Sequence, residues 1–141
     1  MTEEPKNDEP RKLIHVARIA LRWRDMDIHR HVNNTVYFRY LEQARIEWFD
    51  TLRSEWSEAD EGCVIASAHC NYLKPLTYPA AIEVCLYADS PGRSSFTFYY
   101  DVFRAGDRSV RYAEGYTRLV WVDRRTERSV PLPDFMRAAL A

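Results

Sequence analysis

The apolar residues of this chain change their period only once along its length. From about Asn34 to Arg53, Val36, Tyr40, Leu41, Ala44, Trp48, Phe49 and Leu52 recur at steps of three and four. Arg39, Glu42, Gln43, Arg45, Glu47 and Asp50 fill much of the remainder. That spacing predicts one amphipathic helix of about five turns, with Asn33 or Asn34 as its N-cap. Elsewhere the pattern is strand-like. From His15 to Trp23 the residues alternate, with Ile19, Leu21 and Trp23 on one face and Arg18 and Arg22 on the other. Cys63–Leu73 is rich in small and β-branched residues. Ile82, Val84 and Leu86 alternate with Glu83, Cys85 and Tyr87. Ser94–Arg104 sets Phe96, Phe98, Tyr100 and Val102 on one face, and Arg108–Val122 reads as a long last strand. Turns are marked at Leu76–Pro79, Pro91-Gly92 and Gly106-Asp107. Pro131 and Pro133 lead into a short helix ending at Leu140.

The expected order is therefore one strand, one long helix, then four strands in a meander. This is an α+β pattern. Such a helix carries too much apolar surface to lie free, and short hairpin links favour an antiparallel sheet. The economical packing is a curved sheet wrapped around the helix. At 141 residues the chain is long enough for one domain with a real core. We expect a flexible tail over residues 1–12 and a single domain over 13–141.

Charge and cysteine content exclude several classes. A net charge of −1 gives no general attraction to nucleic acid or to an anionic membrane. No apolar run approaches the length that spans a bilayer, and Met1–Lys12 lacks the apolar stretch of a signal peptide. Cys63, Cys70 and Cys85 are odd in number and lack metal-type spacing, which predicts free thiols in a reducing cytoplasm.

The chemistry is concentrated where the first strand gives way to the helix. Asp25, Asp27, His29, His31, Asn33 and Asn34 fall within ten positions. A helix start offers unpaired N–H donors and positive potential. A carboxylate held there can attack a polarised carbonyl, or direct water at it. Asp27 is the first candidate, and Asp25 is expected to accept hydrogen bonds within the turn. His31 is a candidate acid or a shaping residue, while Asn33 and Asn34 suit turn and cap bonds. Asp25, Asp27, His29 and His31 alternate, so an extended segment would gather them as metal ligands. The Asn-Asn pair and the helix behind it predict a turn instead, with no metal. No nucleophilic triad has a supporting signature.

Asp25-x-Asp27 followed by His31-Val32-Asn33-Asn34, then Tyr37 and the Glu42…Arg45 helix face, resembles the hotdog-fold acyl-CoA thioesterases of the 4-hydroxybenzoyl-CoA thioesterase type. The resemblance covers roughly residues 13 to 131. It implies a five-stranded antiparallel sheet around one long helix, and hydrolysis of an acyl-CoA to free acid and coenzyme A without a cofactor. It puts the catalytic carboxylate on Asp27, as nucleophile or general base, with His31 and Asn33 beside it. Tyr37, on the first helical turn, is a candidate to face substrate, with core packing as its default reading. Gly92-Arg93-Ser94-Ser95 looks like the element that helps hold coenzyme A, with Arg128 as a second phosphate contact. Backbone N–H groups at the helix start, or on the strand near Gly62–Ile65, would polarise the carbonyl. The resemblance also implies a homodimer or homotetramer, with sheets joined edge to edge and sites at the shared interface. One position departs from the family pattern: Arg30 stands where glycine is usual. Two alternatives stay open, a non-catalytic acyl-CoA-binding protein and an acyl-thioester hydratase.

Overall fold

Burial along the helix follows the period of the sequence. In a computed structural model that describes residues 11–56 and 60–141, helix α1 spans Asn34–Asp50 and buries Tyr37, Tyr40, Leu41, Ala44, Trp48 and Phe49. These meet Ile82, Val84, Leu86, Phe98 and Val102 of the sheet in one core. Trp48 and Phe49 both lie against Phe98, with ring centroids 5.4 and 5.8 Å apart. Each fully buried side chain of this size contributes roughly 1.5–3 kcal/mol. The helix stops three residues before Arg53. There the Thr51 N–H bonds the Trp48 carbonyl at 3.0 Å, and its hydroxyl donates to the same oxygen at 2.6 Å. The last turn tightens, yet Leu52 stays buried.

The strands are β1 (Lys12–Ala20), β2 (Glu61–Tyr72), β3 (Ala81–Ala88), β4 (Ser95–Arg104) and β5 (Asp107–Asp123), and helix α2 (Asp134–Leu140) follows. They form one five-stranded sheet in the order β1-β3-β4-β5-β2, with every pairing antiparallel. This is the hotdog arrangement, a sheet curved around one helix.

The meander needs a correction. β3, β4 and β5 are joined as hairpins, but β2 pairs with β5 and not with β3. Residues 73–80 instead cross the end of the sheet. Pro75 and Pro79 in this link cannot donate to a ladder, while Leu76 is fully buried. The Leu76 and Ala80 carbonyls accept from Val32 N–H and Leu21 N–H at 2.9 Å each. The crossover thus becomes the floor under the loop that leads into α1. A second correction concerns Trp23. β1 ends at Ala20, and Trp23 opens a 3-10 turn (Trp23–Asp25) with 74% of its surface exposed.

The pairing gives the sheet two distinct ends. Ala20, Tyr72, Ala81 and Arg104 lie at one, and Lys12, Glu61, Ala88 and Ser95 at the other. The β1–α1 loop is at the first end and the β3–β4 turn at the second. Of the expected tail, residues 1–10 lie outside the described residues, and Lys12 already belongs to β1. Cys63, Cys70 and Cys85 are free thiols. Among the described residues no helix is long and apolar enough to cross a membrane.

Candidate active site

Between β1 and α1 the chain makes a turn that folds its two carboxylates inward. Asp25 is structural, as expected. Its Oδ2 accepts from Arg22 N–H at 2.9 Å and from the Tyr40 hydroxyl at 2.8 Å. The turn is thereby tied to the helix, and burial together with Asp25 pushes the Tyr40 phenol well above its ordinary pKa. An isolated bridge between Met26 and Val32 then pinches the loop.

Asp27 sits at the neck of that loop, half-buried. Its Oδ1 accepts from His29 N–H at 2.8 Å, and its Oδ2 accepts from Asn33 Nδ2 at 3.0 Å. Its own backbone closes the turn, with Asp27 N–H on the His31 carbonyl at 3.2 Å and Arg30 N–H on the Asp27 carbonyl at 3.0 Å. The His29 N–H is the main cause holding the Asp27 carboxyl below the usual carboxylate range. Partial burial opposes it, and the Asn33 amide and the nearby charge of His29 and His31 assist it. Each oxygen keeps free lone pairs after these bonds.

Asn33 works in two directions. Its Oδ1 accepts from the Thr35 N–H at 2.9 Å and from the Thr35 hydroxyl at 2.6 Å, which makes it the N-cap of α1. Its Nδ2 holds Asp27. The helix start and the carboxylate are therefore fixed by one side chain.

Arg30 has φ 63°, in the left-handed region. Glycine takes that conformation freely, whereas another L-residue pays about 1–2 kcal/mol. The turn is thus formed without glycine, and the arginine side chain is exposed. His31 is exposed on the same turn. Tyr37 lies beneath it with only 3% of its surface exposed. Its ring packs edge-on to Tyr40 and Tyr72, with centroids at 6.0 and 5.0 Å, and burial pushes its pKa up to about 12.

Asp27, His31, Asn33 and Tyr37 are therefore gathered at one end of the sheet. Arg93, Ser94, Ser95 and Arg128 are at the other end, so a single chain does not bring the two groups together. The Ser94 carbonyl accepts from Trp121 N–H at 2.7 Å, and the Ser95 carbonyl from Gly92 N–H at 2.8 Å. The Arg93 side chain is exposed, while its carbonyl accepts from Leu132 N–H and from Arg137 Nη2. Arg128 is exposed beyond β5.

The sequence reading missed a groove between α1 and β2. It forms two adjoining hollows of about 370 and 290 Å³ that share Arg45 and Ile65, with Phe38, Ile46 and Cys63 among the other walls. At its floor Arg45 Nη1 donates to the Tyr100 hydroxyl at 3.2 Å, and that hydroxyl bonds Thr117 Oγ1 at 2.7 Å. The available signal was Phe38 and Ile46, two apolar residues off the buried stripe of the helix. They are 37% and 48% exposed. Val64 and Ile65 of the neighbouring edge strand are 48% and 46% exposed.

Residues 21–140 match the family model described as the thioesterase-like superfamily. The chain is 45% identical to the PA2801 protein of Pseudomonas aeruginosa, provisionally described as a thioesterase. That likeness covers 92% of this chain and 100% of the other, with a TM-score of 0.85. A provisionally described acyl-CoA thioesterase from Xanthomonas campestris is 36% identical over 80% of this chain and 96% of its own, with a TM-score of 0.70. A curated relative from Aquifex aeolicus, provisionally named an esterase, is 35% identical over 92 residues, which is 63% of this chain and 72% of that protein. With the family model spanning nearly the whole described domain, the chain belongs to the thioesterase-like superfamily and is a thioester hydrolase.

Proposed function

We propose that the protein hydrolyses an acyl-CoA to the free acid and coenzyme A, with Asp27 as the reacting carboxylate. The observation that carries this reading is the fixed position of the Asp27 carboxylate, which accepts from the His29 N–H and from the Asn33 amide that also caps the helix. A general base works best with a pKa near the operating pH. Asp27 is pulled the other way, and the same lowering weakens it as a nucleophile, so the lowered pKa does not separate the two roles; the nucleophilic route needs no ordered water in its first step. In that route a carboxylate oxygen attacks the thioester carbon, donors at the start of α1 stabilise the oxyanion, and the C–S bond breaks. The thiolate leaves and takes a proton from solvent, and water then opens the acyl–Asp27 anhydride. His31, exposed on the same turn, would order that water.

The same reading includes a dimer or tetramer. β2 is an edge strand with a free side and exposed Val64 and Ile65. Antiparallel pairing of two copies through β2 would set the Asp27 end of one sheet beside the opposite end of its partner. The partner's Arg93, Ser94, Ser95 and Arg128 then become the contacts for the coenzyme A nucleotide, although they are remote within one chain. The free thiols fit a reducing cytoplasm.

Release of free thiol from a panel of acyl-CoA substrates tests the activity, and light scattering tests the assembly. Binding without thiol release would mean an acyl-CoA-binding protein, and water addition with the thioester intact would mean a hydratase. A fully active monomer would overturn the shared site. Single turnover in ¹⁸O-labelled water tests the role of Asp27: label in its side chain requires an acyl–Asp27 anhydride that water opens at the Asp27 carboxyl carbon.

A further inference from the structure

The bonds that hold Asp27 continue past Asn33. The Asn33 Nδ2 donates to Asp27 Oδ2 at 3.0 Å, while its backbone N–H donates to the Asp25 carbonyl, also at 3.0 Å. Asp25 is held in turn by its side chain. Its Oδ2 accepts from the Arg22 N–H at 2.9 Å and from the Tyr40 hydroxyl at 2.8 Å. Asp25 thus bonds both ends of the loop, Arg22 where it leaves β1 and Asn33 where it enters α1. A continuous path runs from Tyr40 through Asp25 and Asn33 to the Asp27 carboxylate.

Tyr40 is the rigid end of that path. It stands on α1, about two helical turns beyond Asn33. Its ring is 5% exposed and belongs to the main core, edge-on to Tyr37 with centroids 6.0 Å apart. Burial, and after it the bond to Asp25, push the phenol well above its ordinary pKa, so it stays protonated and donates throughout the neutral range. A phenol that donates to a carboxylate makes one of the stronger hydrogen bonds in proteins. The other ties of the loop are the Met26–Val32 bridge and the Val32 N–H on the Leu76 carbonyl at 2.9 Å, and neither acts on Asn33.

We propose that Tyr40 is a positioning residue for the hydrolysis: its hydroxyl, acting through Asp25 and Asn33, sets where the Asp27 carboxylate points. The inference rests on the reading of Asp27 as the reacting carboxylate. Without the hydroxyl, Asp25 Oδ2 keeps only the Arg22 N–H, and the Asp25 carbonyl beneath Asn33 is no longer tied to the core face of the helix. The Asn33 amide then moves with the loop and takes Asp27 with it. A displacement of about 1 Å at a reacting group costs as much as 10²-fold in rate.

Two measurements test this on the full chain, at a temperature where melting curves show every variant folded. The first is steady-state hydrolysis of one acyl-CoA. Tyr40→Phe keeps the ring and removes only the hydroxyl, so kcat should fall about tenfold while KM stays within about twofold. Asp25→Ala breaks the same path and should cost about as much. The double variant should be no slower than Asp25→Ala alone, because members of one network do not add. Asp25→Asn keeps an oxygen for Tyr40 and Arg22 and should retain most of kcat. The second measurement needs no turnover. The ¹³C shift of the Asp27 carboxyl, assigned with Asp27→Asn, reports its titration. Tyr40→Phe should move the midpoint up toward the ordinary carboxylate value, as the Asn33 amide loses its hold. Wild-type kcat in Tyr40→Phe overturns the proposal. So does a loss that Asp25→Ala multiplies further, or an Asp27 titration that stays where it was. If Asp27→Asn turns over at the wild-type rate, the reading of Asp27 as the reacting group falls, and the carboxyl titration still decides whether Tyr40 acts on it.

Discussion

Two turns of this molecule look alike as sequence and behave differently as structure. The β1–α1 loop (21–33) and the β3–β4 turn (89–94) both carry arginine among polar residues. In the first, the polar side chains build the geometry. Asp25 ties the turn to Tyr40, and Asn33 caps the helix while holding Asp27. In the second, the backbone builds it. Gly92 N–H bonds the Ser95 carbonyl, and Arg137 of α2 donates to the Gly92 and Arg93 carbonyls at 2.9 and 2.8 Å. A turn held through side chains fixes the carboxylate of Asp27. A turn held through its carbonyls leaves Arg93 free to reach outward and fixes no chemistry of its own.

The sharpest way to break this contrast is Asp27→Asn. Size and one accepting oxygen are kept, while charge, nucleophilicity and the second acceptor, one of the two that serve His29 N–H and Asn33 Nδ2, go. kcat should fall about 10²–10⁴-fold, the span typical of losing a positioned acid–base group. KM should hardly move, because the loss falls on the reacting centre. Turnover at the wild-type level would remove Asp27 from the mechanism. The pH profile gives a second view. If the ionised Asp27 is the reacting group, its lowered pKa should keep activity flat through neutral pH, with a fall only below the usual carboxylate range. The linkage has the same sign. The hydrogen bonds to Asp27 stabilise the fold above the unfolded carboxylate pKa of about 3.9, and that contribution is lost as pH falls through the lower folded value. A rate that declines from neutral pH downward would mean a raised pKa.

Asn33 links the two kinds of work in the first turn, so two substitutions separate them. Asn33→Ala removes the cap and the Asp27 contact together. It should cost about 1 kcal/mol of stability and lower kcat roughly tenfold, as Asp27 loses its fixed position. Asn33→Asp keeps a good cap but sets a second carboxylate against Asp27. Its melting temperature should stay near that of the wild type while activity falls and the acid limb of the pH profile moves up. Equal stability and equal activity in both variants would mean that the cap and the carboxylate are independent.

Arg30→Gly probes the strain in the same turn. Glycine relieves the left-handed conformation, although it also loosens the unfolded chain. A stability gain of up to about 1 kcal/mol is expected, read as a higher urea midpoint with an unchanged slope. A loss of stability would show that the Arg30 side chain contributes more than its backbone costs.

How far these features were legible in the sequence depends on their range. The helix and its cap were readable because period and capping are local: Tyr37 to Phe49 repeat on one face, and Asn33 precedes them. The strands of the second half were readable for the same reason. The crossover was not, because hairpin links and crossovers have similar turn residues, and what separates them is the pairing of β2 with β5 across forty and more positions. Trp23 continued the alternation of β1, yet the Asp25 carboxylate, bonded back to Arg22 N–H, turns the chain before the strand can reach it. The motif singled out Asp27 as a candidate, whereas the Asn33 amide that holds its carboxylate is visible only in the fold. The separation of Arg93 from Asp27 follows from topology alone, since strand order decides which turns share an end of the sheet.

The smallest effect is expected at the other turn. If a partner's Arg93 grips the nucleotide of coenzyme A, Arg93→Ala should raise KM for acyl-CoA several-fold and leave kcat nearly unchanged. An exposed contact between arginine and phosphate is worth about 1 kcal/mol and is screened by salt. The loss should therefore shrink as ionic strength rises, and it should vanish for a short thioester that lacks the nucleotide. The fold should not notice, because the turn is held through the Arg93 carbonyl and not through its side chain. Arg137→Ala is the matched control. It releases two carbonyls of the turn, so it should lower the melting temperature and act on both thioesters alike. If Arg93→Ala behaves as Arg137→Ala does, the second turn is scaffold only, and the nucleotide is held elsewhere. If the two separate as expected, this turn reads its substrate through one exposed side chain, while the first turn fixes Asp27 through several.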